Sequence, residues 1–191
     1  MAELETAEQL TVRFDGRADT YDESETHRQM AEATAEFIDS TGVHDVLDAG
    51  TGTALLLRSL APRLVDTAQL VGVDLSSRML EVARSALPGA EFVVADAAEL
   101  PFGSATFDLV TSVTSLHLMP DVKTVLTEWA RVLRPSGRIV IATFTSVRGW
   151  GHLVVPADEA PRIGFRVLRS LDWAAPPDSG FPDLVIVELG R

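Results

Sequence analysis

The chain contains no cysteine, which excludes disulfides, thiolate metal sites and cysteine nucleophiles; no metal ligand set is read from it. It has no run of about 18 apolar residues, so no membrane-spanning helix and no membrane partner are expected. The acidic N-terminus does not read as a secretory signal, and a cytoplasmic location is the expectation. Basic residues are scarce: 16 Lys and Arg stand against 28 Asp and Glu, a formal net charge of −12. A nucleic-acid partner needs a basic face that displaces counterions, and this balance argues against one. Arg162, Arg166 and Arg169 are the one hint of such a face, and a solvated strand accounts for them as well. What is present is ordinary globular composition: 191 residues, 46% apolar and 23% charged. That length suits one domain burying about 70% of its unfolded surface.

Residues 1–23 are polar and acidic, and their aromatics, Phe14 and Tyr21, do not form a core stripe. A helix is expected from Ser24 to Ser40, with Met30, Thr34, Phe37 and Ile38 on one face. Asp22 with Glu25 reads as its capping-box-like start and Gly42 as its stop. The chain then alternates. Strands are expected at 45–49, 69–74, 91–95, 107–113 and 138–144, and helices at 53–61, 76–87 and 121–134. The last helix is the clearest: Val122, Val125, Leu126, Trp129, Ala130 and Leu133 repeat at helical spacing, Asp121 caps it, and Pro135 with Gly137 ends it. Residues 98–106, with Pro101 and Gly103, read as a loop, and 146–162 is broken by Gly149, Gly151, Pro156 and Pro161. Ile163–Leu171 and Asp183–Leu189 read as two strands joined by a Pro-rich turn, an antiparallel hairpin at the sheet edge. The fold class is therefore α/β: a Rossmann-like, doubly wound and mostly parallel sheet with an antiparallel C-terminal edge hairpin and helices on both faces.

Such sheets bind ligands at the carboxyl ends of their strands. The segment from Val46 to Leu57 runs from an apolar strand through Asp48, Gly50 and Gly52 into a Leu-rich stretch. Glycines let the backbone approach a ligand, and a helix start offers unpaired N–H groups. Asp74 and Asp96 close the next two strands, and Ser112, Thr114, Ser115 and His117 follow the fourth. One such acid would be an ordinary cap or turn residue; three at successive strand ends, with a glycine turn between the first two, point to a nucleotide-like cofactor. A carboxylate at Asp74 suits ribose hydroxyls, while Asp96 and the N–H of Ala97 suit a purine edge.

Asp48-Ala-Gly50-Thr-Gly52-Thr-Ala54 resembles the Asp/Glu-x-Gly-x-Gly-x-Gly signature of class I S-adenosylmethionine-dependent methyltransferases. The likeness continues through Gly72-Val-Asp74, Ala95-Asp96-Ala97, Leu100-Pro-Phe102, Phe107-Asp-Leu-Val, Leu116-His-Leu-Met-Pro120-Asp and Glu128-x-x-Arg131-Val-Leu-Arg-Pro135-x-Gly137. Phe14-Asp-x-x-Ala18-x-x-Tyr21-Asp22 resembles the small-molecule branch that includes the ubiquinone and menaquinone C-methyltransferases, and the whole resemblance covers residues 12–145. It implies S-adenosylmethionine as cofactor, with S-adenosylhomocysteine as product. It implies that Asp48, Gly50, Thr51 and Gly52 hold the methionine end and Asp74 the ribose. Leu75 and Met79 would flank the adenine, Asp96 and Ala97 read its edge, Ser112 and Val113 line the sulfonium side, and Tyr21 closes over the site. Ala54 replaces the third signature glycine, a change expected to be tolerated inside the helix. The segment 146–162 is shorter than the family's usual helical insertion over the acceptor pocket.

The expected activity is transfer of a methyl group to a small organic acceptor by in-line displacement. The catalytic candidates are His117 as base and Tyr21, with His27 and His152 as weaker bases and Trp150 as a pocket-lining residue. Two other readings stay open. One is a cofactor-binding relative with a regulatory role. The other is a dinucleotide oxidoreductase, disfavoured because Leu55 stands where that fingerprint needs glycine. One domain is expected over 1–191, with a helical cap at 1–42, a cofactor core at 43–145, and a reduced lid plus hairpin at 146–191. A homodimer is left open.

Overall fold

The computed structural model describes residues 5–146 and 156–191. Seven strands form one sheet in the order β3-β2-β1-β4-β5-β7-β6. The strands are β1 (Asp45–Ala49), β2 (Gln69–Asp74), β3 (Glu91–Val94), β4 (Phe107–Val113), β5 (Leu133–Phe144), β6 (Arg166–Trp173) and β7 (Leu184–Gly190). The first five run parallel, and β7 lies antiparallel between β5 and the edge strand β6. The chain therefore reverses its winding at β1 and β4, the switch point at which such sheets open a crevice.

Strand alternation sends β1 side chains into two cores. Leu47 and Ala49 join Trp129, Leu126 and Val110 on one face, while Val46 joins Leu57, Leu80 and Met30 on the other. Both faces are covered, which is why β1 carries no polar alternation. The helices are α2 (Glu25–Phe37), α3 (Leu55–Leu60), α4 (Ser77–Ala86), α5 (Val122–Val132) and the short α6 (Pro156–Glu159), preceded by α1 (Ala7–Asp15). Trp129 on α5 is fully buried, and its indole N–H donates to the Ala97 carbonyl at 3.0 Å. Two residues later in the motif, Arg131 donates to the Phe102 carbonyl at 2.8 Å, and Glu128 accepts from the Leu100 N–H at 2.8 Å. The 98–106 loop is thus pinned by helix side chains rather than by its own hydrogen-bond ladder.

Four expectations are corrected. A helix, α1, stands where residues 1–23 show no stripe: Thr6 and Gln9 form a full capping box, but the helix buries no residue in the core, so the apolar-stripe signal is missing. Ser24, not Asp22, caps α2, accepting from the His27 N–H at 3.3 Å. α5 ends at Val132, and Pro135 and Gly137 lie within the long β5 rather than terminating a helix. Ala54 precedes α3 in a left-handed conformation (φ 65°) instead of lying inside it. An L-residue there costs about 1 kcal/mol, and the glycine in the family signature avoids that cost.

In the C-terminal part, β6 begins at Arg166, three residues later than expected, because Ala160–Ile163 form a 3-10 turn. The hairpin itself is present, with β6 on the outside. Trp173 packs against the core beside Leu184 and Ile186. Trp150 and His152 lie outside the described residues.

Candidate active site

The carboxyl ends of β1, β2 and β4 converge on a turn built for close approach. Gly50 and Gly52 both have positive φ, 72° and 55°. A side chain at Gly50 would strike the Ser115 hydroxyl at 2.5 Å, whereas one at Gly52 would meet nothing within 4 Å and would project into open space. The turn is fixed from behind: Gly50 and Thr51 donate their N–H groups to the Val73 carbonyl, each at 2.9 Å. Asp74 accepts from the Gly52 and Ser76 N–H groups, both at 2.9 Å. Those bonds orient the carboxylate and leave lone pairs free for a ligand. Burial nevertheless raises the proton affinity of Asp74 above the usual carboxylate range.

A cavity of about 420 Å³ opens in front of this turn, within the ~300–1,000 Å³ range of small-molecule sites. Gly50, Gly52, Asp74, Leu75 and Met79 line it, as do Asp96, Ala97 and Val113 on the neighbouring strand ends. Asp96 holds its own loop by accepting from the Ala98 N–H at 2.8 Å. Thr6, the N-cap of α1, and Leu10, Thr11 and Phe14 within it, together with Tyr21, supply the roof. Leu10 and Phe14, the apolar residues of α1 among these, thus face the cavity rather than a core. A second cavity of about 40 Å³ lies behind the glycine turn; Asp48, Thr51, His27 and Tyr21 are among its walls.

Asp48 is 2% exposed and accepts from the Thr111 hydroxyl at 2.8 Å. Burial pushes its carboxyl up to about 6. Tyr21 is pushed up to about 12, chiefly by burial, and its hydroxyl is hydrogen-bonded to Thr114. Thr114 itself sits at φ 51°, a strained conformation for a β-branched residue at the end of β4.

Not every expected residue reaches a cavity wall. Ser112 is fully buried, bonded to the Ser115 hydroxyl at 2.6 Å, because strand alternation turns Val113 forward instead. His117 is 2% exposed, packs its ring edge on Phe144, and lines neither cavity. The Leu116–Leu118 turn carries Leu116 and His117 into the interior and presents Leu118 and Met119 to the larger cavity.

The structure adds residues that motif reading did not assign. Asp15 accepts from the Ser76 hydroxyl at 2.5 Å, Asp19 pairs with Arg78 at 2.8 Å, and Asp22 accepts from the Thr53 hydroxyl at 2.5 Å and pairs with Arg58. Three aspartates thus latch the N-terminal segment onto α3, the turn that precedes it, and the start of α4. Their 15/19/22 spacing within the aromatic motif was the available signal, though their partners lie up to 61 positions away.

Comparison with known proteins gives the family and the fold. The family described as "Methyltransferase domain" matches residues 47–141. Demethylmenaquinone methyltransferase of Thermobifida fusca is 32% identical over 186 residues, covering 91% of this chain and 74% of that protein. The Thermotoga maritima enzyme of the same name is 41% identical over 109 residues, covering 56% of this chain and 46% of its own. The chain spans about half the length of the first curated relatives it matches. Among solved structures, the [4+2]-cyclase SpnF superposes with a TM-score of 0.77 at 14% identity, covering 98% of this chain and 97% of that one; this shows the fold alone. No helix among the described residues is long and apolar enough to cross a membrane.

Proposed function

This chain belongs to the S-adenosylmethionine-dependent methyltransferase family, and on that premise we propose that it transfers a methyl group from S-adenosylmethionine to a small organic acceptor. The observation that carries the proposal is the open cradle at Gly52, beside an oriented Asp74 and in front of a cavity of about 420 Å³. The residues fit the cofactor. Gly50 and Gly52 would admit its methionine end against the backbone, with Thr51 and Asp48 behind them. Asp74 would accept from the ribose hydroxyls. Leu75 and Met79 would pack on the adenine, and Asp96 with the Ala97 N–H would read its edge. Val113 would face the sulfonium side, with Ser112 supporting the turn through Ser115.

When bound, the cofactor supplies a methyl group already activated as a sulfonium, so the protein's task is alignment and exclusion of water. The roof residues Leu10, Phe14 and Tyr21 perform that exclusion. Relatives named "O-methyltransferase cnsE" and "Nocamycin O-methyltransferase" support a small acceptor methylated on a hydroxyl oxygen. A dinucleotide oxidoreductase is disfavoured by Leu55, which opens α3 where that turn requires glycine.

The test is incubation with S-adenosylmethionine carrying a labelled methyl group and a panel of phenols, quinols and amines. Label on any panel member is the expected result. No transfer, with S-adenosylhomocysteine still bound, would favour a cofactor-binding regulator instead.

A further inference from the structure

The proton of a hydroxylated acceptor needs a destination, and no histidine among the described residues lines the larger cavity. The smaller cavity does. His27 is 8% exposed and lines it together with Tyr21, Gly50, Gly52, Val113 and Thr114, residues that also line the larger one. Its position is over-determined. The ring stacks on Tyr21 with centroids 4.2 Å apart and planes 15° from parallel, and Phe181 meets it edge-on at 5.0 Å. Its Nδ1 lies 3.4 Å from the Tyr21 carbonyl oxygen. A carbonyl can only accept, so this contact places the ring proton on Nδ1 and leaves the lone pair on Nε2.

We propose that His27 is the proton acceptor of the methyl-transfer site, receiving the proton of a hydroxylated acceptor beside Tyr21. The proposal rests on the methyltransferase reading. The acceptor's oxygen bonds to the methyl carbon as the carbon–sulfur bond breaks. Sulfur keeps the electron pair of that bond, and the oxygen's proton passes to Nε2 and then to water. Tyr21 is unsuited to this role because its phenol keeps its proton far above neutral pH.

The surroundings keep the imidazole neutral and therefore able to accept. Burial lowers its proton affinity below the ordinary value of 6.5; the Tyr21 carbonyl raises it, Arg17 lowers it, and Asp22 raises it. Among the described residues, Asp48 is the other ionisable group lining the same cavity besides Tyr21. The His27 backbone N–H is tied to Ser24 at the start of α2, where the helix dipole also disfavours imidazolium.

Nitrogen-15 NMR of the full chain, loaded with S-adenosylhomocysteine, reads the tautomer directly. The expected result is a His27 ring protonated at Nδ1 and titrating below 6.5. A ring carrying its proton on Nε2, or one already cationic at pH 7, overturns the proposal. Failure of S-adenosylhomocysteine to bind contradicts the methyltransferase reading, while the tautomer of the unloaded chain still judges His27. With naphthalene-1,4-diol as methyl acceptor, His27→Gln is expected to lower kcat about a hundredfold. It should also abolish the acid limb of the kcat profile at saturating S-adenosylmethionine and leave S-adenosylhomocysteine affinity at pH 8 unchanged, which reports an intact fold. Wild-type kcat with the acid limb retained overturns the proposal.

Discussion

The floor and the roof of the larger cavity are made by different physics. The floor is the β1–α3 turn, backed by strands whose side chains are buried on both faces of the sheet. Its cavity side offers uncovered backbone at Gly52 and the Asp74 carboxylate, which the Gly52 and Ser76 N–H groups hold in place. The roof, α1 and the following 3-10 turn, contributes one residue to the interior, Ala18, and is fastened by exposed or half-exposed carboxylates. A floor fixed by burial keeps its geometry without a ligand. A roof fixed by ion pairs is governed by charge and salt.

Removing the floor's anchor should have the largest effect. Asp74→Ala is expected to weaken S-adenosylhomocysteine binding about a hundredfold, the loss of two charge-assisted hydrogen bonds worth about 3 kcal/mol together. Calorimetry measures the affinity, and circular dichroism checks that the variant folds. Unchanged affinity would remove Asp74 from the ribose site.

The next effect concerns acidity. Asp48 titrates near 6 when folded, against a reference value of 3.8. Its folded form therefore binds a proton more readily than its unfolded form. The unloaded protein gains stability from this group as pH falls from above 6 towards 4. His27 acts in the opposite sense: its folded proton affinity is lowered, so its contribution is lost as pH falls below 6.5. The difference in thermal midpoint between wild type and Asp48→Asn isolates the first effect, and should narrow on acidification. Affinity for the cationic methionine end should fall over the same range as Asp48 becomes neutral. A midpoint difference independent of pH would contradict this assignment.

Opening the roof should cost less. Asp22 and Arg58 are about one-third exposed, 32% and 33%, so screened solvent limits their pairing. Asp22→Asn is expected to lower stability by about 1 kcal/mol, including the weakened Thr53 contact. It should also make S-adenosylhomocysteine affinity less sensitive to sodium chloride than in the wild type. An unchanged salt dependence would show that the latch does not govern the roof.

The same contrast explains what the sequence made legible. Strands β1 to β5 and helices α2, α4 and α5 announce themselves because burial writes a period into them. The glycine turn announces itself because two backbone positions tolerate little else. Asp48, Gly50, Gly52, Asp74, Leu75, Met79, Asp96, Ala97 and Val113 all fall on one cavity or the other. α1 left no such trace, since its apolar side faces a ligand space rather than a core. The latch partners of Asp15 and Asp22 were hidden by sequence distance. His117 stood at the right place in the chain, but a 3-10 turn carried it inward. Ser112 illustrates the narrowest margin: a one-residue step along a strand reverses the face.

Calorimetric titration of the full chain with S-adenosylhomocysteine and, separately, with NADH tests most directly whether this floor is shaped for S-adenosylmethionine. One equivalent of S-adenosylhomocysteine bound, with no heat from NADH, is the predicted result; binding of NADH alone would contradict it.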